Sequence, residues 1–435
     1  MDKKFDIVVI GSGMAGAVAA LKAVDSGKKI AVIRKGYGST ALSSGAIDLA
    51  ADPLGIPGRP LEDNRDWQKN VKEIARRDEF HPYAVLAAGG YAPDLELAQA
   101  LNFIYRELQG VGLPLFPVTG RNLTLVNPLG GFKFTGLAQE SQGKGDLEKL
   151  KGKKTVILGV KNLPDFPADY IARALNDSIG SQGYGPFSSQ EIEIPGFGGG
   201  TTFEAAVALE SEGVEKVASL LAGISAGGHL IFPPILGALR SREVTETLQK
   251  SGVLDFSESL AVPTSIPGYR LQAALDRALE KRGVSILNGR VISATVADHR
   301  LHSLEAEIQG QKEKMEGQNF ILATGKYLSG GIERDRVFRE PVFDLPVFIG
   351  EKPVKEDFIK DFLLREALGP HPAFRAGIRV NGKLSPLNRS KQVFAENLWA
   401  AGSVLAGYDS TGDGAGLGVA ILTGFKAGQE AGGGA

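Results

Sequence analysis

Gly11, Gly13 and Gly16 stand directly after the apolar run 5–10, and that spacing has a chemical use. The first glycine permits a tight turn, the second lets backbone approach a pyrophosphate, and the third lets a helix lie close to the strand. With Ser12, Met14 and Ala15 between them, they leave unpaired N–H groups at a helix start, where a phosphate is stabilised. A second glycine-rich stretch lies near the other end of the chain. Residues 397–404 form an apolar run through Ala401-Gly402-Ser403, and the loop 407–418 closes in Gly416-Leu417-Gly418. A helix running from Gly416 towards Lys426 presents its first N–H groups to negative charge. Reduced flavin carries such charge near N1 and O2, so the two stretches together point to a flavin.

One position departs from the dinucleotide fingerprint. The second strand, 29–33, is followed by Arg34-Lys35-Gly36, where a ribose-binding Asp or Glu is expected. A basic side chain cannot accept ribose hydroxyl hydrogens, although it pairs with phosphate. NAD is thereby disfavoured. FAD is the choice that the dinucleotide motif supports, with FMN as the alternative. Ser43, Ser44 and Gly45 are candidates for a loop along the isoalloxazine. Asp48 reads as a loop acid or helix cap. Ala323-Thr324-Gly325 ends a buried strand at 319–325 and is another place for the chain to pass a cofactor. For an anionic substrate the candidate cations are Arg270, Lys326, Arg339 and Arg34, since a guanidinium forms paired bonds to phosphate or carboxylate. His81 and His371 both precede proline, and imidazole titrates near neutral pH. Arg270, Arg339 and His81 are the candidates for a catalytic role.

The elements that must position these groups follow from periodicity. Strand 5–10, helix 14–26 and strand 29–33 make a βαβ unit. A loop-rich segment follows, with a Pro/Gly/Asp stretch near 53–60, and then helices at 66–77 and 94–109. Near Gly152 a new unit begins: strand 154–160, helix 168–179, strand 190–194, helices 202–209 and 213–222, and strand 229–232. Such an insertion places a second wall over a flavin. Helix 269–281 and strands 284–287, 290–297, 302–308 and 319–325 return to the first unit. The expected fold is α/β, a Rossmann-like FAD/NAD(P)-binding flavoprotein fold with an inserted cap-like α/β domain. Residues 1–150 and 264–435 make the two parts of the flavin-binding domain, and 151–263 the insertion.

Composition narrows the function. With 435 residues the chain can hold two or three domains, and a net charge of −1 suggests neither a nucleic-acid nor a membrane-surface partner. Cysteine is absent, which excludes disulfides, thiol catalysis and a cysteine-held iron–sulfur cluster. The five histidines lack ligand spacing, so no structural metal is expected. With no Cys, and no His beside the Ser43 loop, the flavin is expected to be non-covalent. No signal peptide or membrane-spanning run is seen, so the expected location is cytoplasmic, with membrane contact only through a partner.

Several short strings occur in a recognisable order. They are Gly11-x-Gly13-x-x-Gly16, Ser43-Ser44-Gly45-Ala46-Ile47-Asp48-Leu49, His81-Pro82-Tyr83, Pro128-Leu129-Gly130 and Gly268-Tyr269-Arg270-Leu271-Gln272. After them come Leu328-Ser329-Gly330-Gly331, Arg339-Glu340-Pro341 and Gly402-Ser403-Val404-Leu405-Ala406-Gly407-Tyr408-Asp409. On these the chain resembles the family of B subunits of anaerobic glycerol-3-phosphate dehydrogenase, over nearly its whole length. It is more distantly similar to the flavin subunits of fumarate reductase and succinate dehydrogenase. The resemblance implies a heterocomplex. In such a complex a flavin-bearing A subunit oxidises sn-glycerol 3-phosphate to dihydroxyacetone phosphate, and an iron–sulfur C subunit passes electrons to membrane quinone. The B subunit is usually described as carrying FMN. Relatives can have a Cys in the C-terminal loop, where this chain reads Asp413-Gly414-Ala415-Gly416. Two other readings are a self-contained fumarate-reductase-like flavin oxidoreductase and a non-catalytic structural subunit.

Overall fold

The computed structural model describes residues 3–51, 64–222, 228–335, 337–354, 362–367 and 369–433. The Pro/Gly/Asp stretch near 53–60 lies outside the described residues.

The apolar runs at the two ends of the chain meet in one sheet. Strand β1 (Ile7–Ile10) is buried along its whole length, as befits a strand covered on both faces. It leads through the glycine turn into helix α1 (Met14–Val24), and the chain returns as strand β2 (Ile30–Arg34). Helix α2 (Ile266–Lys281), strand β3 (Ser285–Ala297), strand β4 (Asn319–Leu322), strand β5 (Leu398–Ala400) and helix α3 (Gly416–Gly432) complete the unit. The order at the centre is β3-β2-β1-β4-β5, all parallel, with Val9 opposite both Val32 and Ile321. Beyond β3 the sheet extends antiparallel through Arg300–Ile308 and Gln311–Glu316, and Lys3–Lys4 closes that edge. Helix α3 lies directly on α1. A Cβ on Gly424 would fall 2.3 Å from the Ala15 carbonyl oxygen, and one on Gly428 would fall 2.4 Å from that of Ala19. Nothing larger than glycine fits at this approach.

A second, four-stranded parallel sheet has its own apolar core. Its order is Phe187–Ile192, Thr155–Val160, His229–Phe232 and Phe256–Glu258. Helix Ala168–Ile179 packs on it, with Ile171 and Leu175 buried among Ile157, Leu158 and Phe232. Helix Thr202–Ala208 starts in a capping box made by Thr201 and Glu204. The hairpin Leu123–Val126 with Phe132–Thr135 adds Val126 and Phe134 to the core of the second sheet.

Several elements differ from expectation. The strand expected at 190–194 runs Phe187–Ile192. The runs 284–287 and 290–297 are one strand, β3, bent by bulges rather than broken at Gly289. Helix α2 begins at Ile266, three residues before the expected start, because Ser265 caps it through Gly268 N–H and Pro267 suits the first turn. Helix Ser241–Lys250 has no clear signature in the sequence; its buried residues are only Val244 and Leu248, too few to show a period.

Candidate functional site

The parallel strands β1, β2 and β4 all end at one cavity of about 1210 Å³. The glycine turn forms one wall. Gly11 has φ +108°, and a Cβ there would strike the Ala323 carbonyl oxygen at 2.2 Å, so both the turn and the approach to β4 demand glycine. Gly16 packs against the Gly11 carbonyl and does not face the cavity. Gly13 does face it. A Cβ there would meet only Thr40 Oγ1, at 3.3 Å, which leaves the turn open towards the cavity. Met14 N–H donates to Thr40 Oγ1, and no side chain caps α1 at Gly13. The start of α1 therefore has backbone donors available to an anion.

The same cavity reaches residues far apart in sequence. Besides Gly11, Ser12, Gly13, Met14 and Ala15, it is lined by Arg34, Lys35, Ser43, Ser44, Ala323, Thr324, Gly325, Ser403, Gly416 and Leu417. Four cofactor candidates stand behind this lining. Gly16 seats α1 on the turn. Gly45 seats its loop on Pro267 of α2, and Gly402 packs on Ala15. Gly418 donates its N–H to the Asp48 carbonyl, tying the start of α3 to that loop.

The three catalytic candidates are not on the cavity wall. Arg270 is buried in an ion pair with Glu258 and donates to Leu236 O and Ser241 Oγ at 3.0 and 2.6 Å. It joins α2 to the second sheet. Arg339 is exposed and pairs with Asp344 at 3.1 Å. His81 is fully buried at the start of helix Pro82–Ala88, where Nδ1 accepts from Tyr83 N–H. Burial, helped by the charges of Arg375 and Arg77, pulls its pKa down to about 3. The imidazole is neutral at neutral pH, and its ring packs behind Tyr408, with centroids 5.7 Å apart. His371 is likewise structural, holding Leu364 N–H and the Ala367 carbonyl.

Other groups do reach the cavity. Lys326, a candidate cation from the sequence, donates to Phe374 O at 2.6 Å and lies 5.4 Å from the Tyr408 ring centre. Burial draws its pKa down to about 8, against the opposing pull of Asp409. Lys133, from the hairpin, forms a short ion pair with Asp48, and both line the cavity. Burial pushes the Asp48 carboxyl up, and Lys133 opposes the shift. Lys133 does not stand out in the sequence. It sits in a Phe-Lys-Phe-Thr alternation that marks a strand, and nothing local signals that its partner is 85 residues away.

A dinucleotide fits this arrangement. Asp48 Oδ1, Thr324 Oγ1 and Tyr408 OH are buried polar atoms without a protein partner, and all three residues line the cavity. Such atoms are costly unless a ligand or water completes them. The open face of Gly13 provides the close backbone approach that a pyrophosphate needs. Among the described residues no group of His, Asp or Glu is placed to hold a metal ion.

The family described as FAD binding domain matches residues 6–419. The chain is 28% identical to the B subunit of anaerobic glycerol-3-phosphate dehydrogenase of Vibrio cholerae serotype O1 (strain ATCC 39541 / Classical Ogawa 395 / O395), over 98% of this chain and 96% of that protein. It is also 28% identical to the protein of the same name from Glaesserella parasuis serovar 5 (strain SH0165), over 98% and 99%. Among solved structures, the open conformation of a flavocytochrome c3 fumarate reductase aligns with TM-score 0.44 at 11% identity, over 99% of this chain and 78% of that one.

Proposed function

Because this chain belongs to the FAD binding domain family and is a flavin-dependent oxidoreductase, we propose that it is the flavoprotein B subunit of an anaerobic glycerol-3-phosphate dehydrogenase. The observation that carries this is the end-to-end match to relatives of that name, 98% of this chain against 96% of theirs. FAD, rather than FMN, is the cofactor, held non-covalently. The proposed division of labour keeps 1–150 and 264–435 for the cofactor and 151–263 as an inserted cap.

In this reading the chain takes part, within the assembled complex, in the oxidation of sn-glycerol 3-phosphate to dihydroxyacetone phosphate, in which C2 gives up a hydride and its hydroxyl releases a proton to solvent. A bound flavin supplies the acceptor for the hydride. The start of α1 takes the pyrophosphate, and the start of α3 offers N–H groups to negative charge on the reduced ring. Lys326 and Lys133 are the cations we assign to an anionic substrate, in place of Arg270 and Arg339. Both are cavity residues.

Electrons leave to partners. The chain has no cysteine to hold a cluster, and among the described residues no helix is long and apolar enough to cross a membrane. We therefore assign the route from this flavin to a quinone, and any contact with a membrane, to the A subunit and an iron–sulfur C subunit of the same complex. The test is anaerobic mixing of the FAD-loaded chain with glycerol 3-phosphate, following the flavin absorbance. Slow or no bleaching alone, with electron flow restored by the partner subunits, is the expected result. Fast and complete bleaching without partners would favour a self-contained dehydrogenase. Failure with and without partners would favour a purely structural role.

A further inference from the structure

We propose that Arg34, clamped by Asp276 and Asn288, is the residue that makes this chain select FAD over FMN. The dinucleotide fingerprint places a carboxylate at the end of its second strand, to accept from ribose hydroxyls. Here β2 ends in Arg34, which lines the cavity. A carboxylate does reach this corner, but it comes from α2 and is turned on the arginine. Asp276 Oδ2 accepts from Arg34 NH1 at 2.6 Å, and Asn288 Oδ1 accepts from Arg34 Nε at 2.9 Å. The guanidinium carbon lies 5.4 Å from the ring centre of Tyr37, another cavity residue.

The clamp also reaches the glycine turn. Asp276 Oδ1 accepts from Gln272 Nε2 at 3.0 Å, and the same amide nitrogen donates to Ser12 O at 3.0 Å. Two residues one turn apart on α2 therefore hold both the turn and the guanidinium. A guanidinium has five N–H donors, and the two bonds to Asp276 and Asn288 leave three. A ribose hydroxyl oxygen accepts as well as donates. The adenosine half can thus be recognised with the polarity of the usual hydrogen bonds reversed. FMN lacks that half and gains nothing from Arg34. Asp276 and Asn288 act through Arg34 and are positioning residues. The inference rests on the cofactor and not on the substrate proposed above.

The experiment is titration of flavin-free, full-length protein with FAD and with FMN, followed by flavin fluorescence. A hydrogen bond from a charged group contributes about 1.5–3 kcal/mol, or about ten- to a hundredfold in Kd. Arg34→Ala is expected to weaken FAD binding by that factor and to leave FMN binding unchanged. Asp276→Asn is expected to weaken FAD binding less, and Arg34→Lys to recover part of the loss, because lysine keeps the charge but not the fork. Equal loss for both flavins would overturn the proposal, since Arg34 would then act on the shared half or on folding. Unchanged FAD binding in Arg34→Ala would overturn it as well. Neither readout involves glycerol 3-phosphate, so a failed substrate assignment leaves the result intact.

Discussion

Gly13→Val and Gly16→Ala are both changes in one turn, and the geometry predicts opposite consequences. At Gly13, φ is −64°, ordinary for any residue, and an added Cβ meets only Thr40 Oγ1. The fold should lose at most about 1 kcal/mol, the difference between glycine and a β-branched residue at a helix start. The added atoms instead occupy the space above the α1 N–H groups. If two charge-assisted hydrogen bonds to the pyrophosphate are lost, at about 1.5–3 kcal/mol each, FAD affinity falls by about two to four orders of magnitude. At Gly16 the new methyl would lie 1.9 Å from the Gly11 carbonyl oxygen and 3.3 Å from Ala323 Cβ. Backbone must move, at a cost of about 1–3 kcal/mol before any ligand is added. Thermal melts with and without FAD separate the two effects. At a hundred times Kd, FAD stabilises wild type by about 2.7 kcal/mol. Gly13→Val should melt near flavin-free wild type and gain at most about 0.4 kcal/mol from the same FAD. Gly16→Ala should melt lower without FAD. Wild-type FAD affinity in Gly13→Val, or flavin-free melting below that of Gly16→Ala, would refute the assignment of this turn to the pyrophosphate.

Three further changes probe the surroundings. Arg270→Met strands the buried Glu258 carboxylate and should cost about 3–5 kcal/mol in denaturant unfolding, while the folded fraction keeps its FAD affinity; a weakened Kd with unchanged stability would return Arg270 to the cofactor. His81, held at about 3, binds a proton in the unfolded chain before it does so in the folded one, so its contribution to stability falls as pH drops from about 6.5 towards 3. His81→Asn should flatten that part of the stability profile by up to about 1.4 kcal/mol per pH unit, and parallel profiles for variant and wild type would contradict the buried neutral imidazole. Lys133→Met leaves Asp48 buried without its cation, at a cost of about 1–3 kcal/mol for this half-buried pair. Adding Asp48→Asn should recover most of it, and no recovery in the double variant would mean that Lys133 matters through packing instead.

What was legible in the sequence was whatever is local. The turn from Gly11 to Gly16 announces itself because strand, glycines and helix are contiguous, and the run 319–325 because Phe320-Ile321-Leu322 is a buried apolar stretch, although the strand ends at Leu322 and not at 325. Helix Ala168–Ile179 and strand His229–Phe232 have their expected ends, since periodicity and flanking turns agree there. The candidate cations were not legible in the same way. Arg270 follows Gly268-Tyr269 and looks available, but its partner Glu258 comes from another sheet. Lys133 looks like one position in an alternating strand, and its partner Asp48 comes from a loop. Asp276 looks like a helix-surface acid until Arg34 arrives from 242 residues away. The charge on a side chain is written in the sequence; what it is spent on depends on which strands become neighbours.

The packing of α3 on α1 has a bearing on how the protein is made. Gly424 and Gly428 touch the carbonyls of Ala15 and Ala19, and β1 has β4 as its neighbour on one side, with β5 beyond. A ribosome delivers α1 well before α3, with about 400 residues of synthesis between them. For most of that interval β1 has β2 but neither β4 nor β5, and until α3 is made the face of α1 that it covers is bare apolar surface. The second sheet, whose strands lie between Thr155 and Glu258, can pair up well before then. Long-range parallel pairing is slow and leaves strand edges open while it waits. A nascent chain of this protein therefore has a folded middle and an unfinished sheet around β1, and it acquires its complete flavin cavity only when α3 emerges.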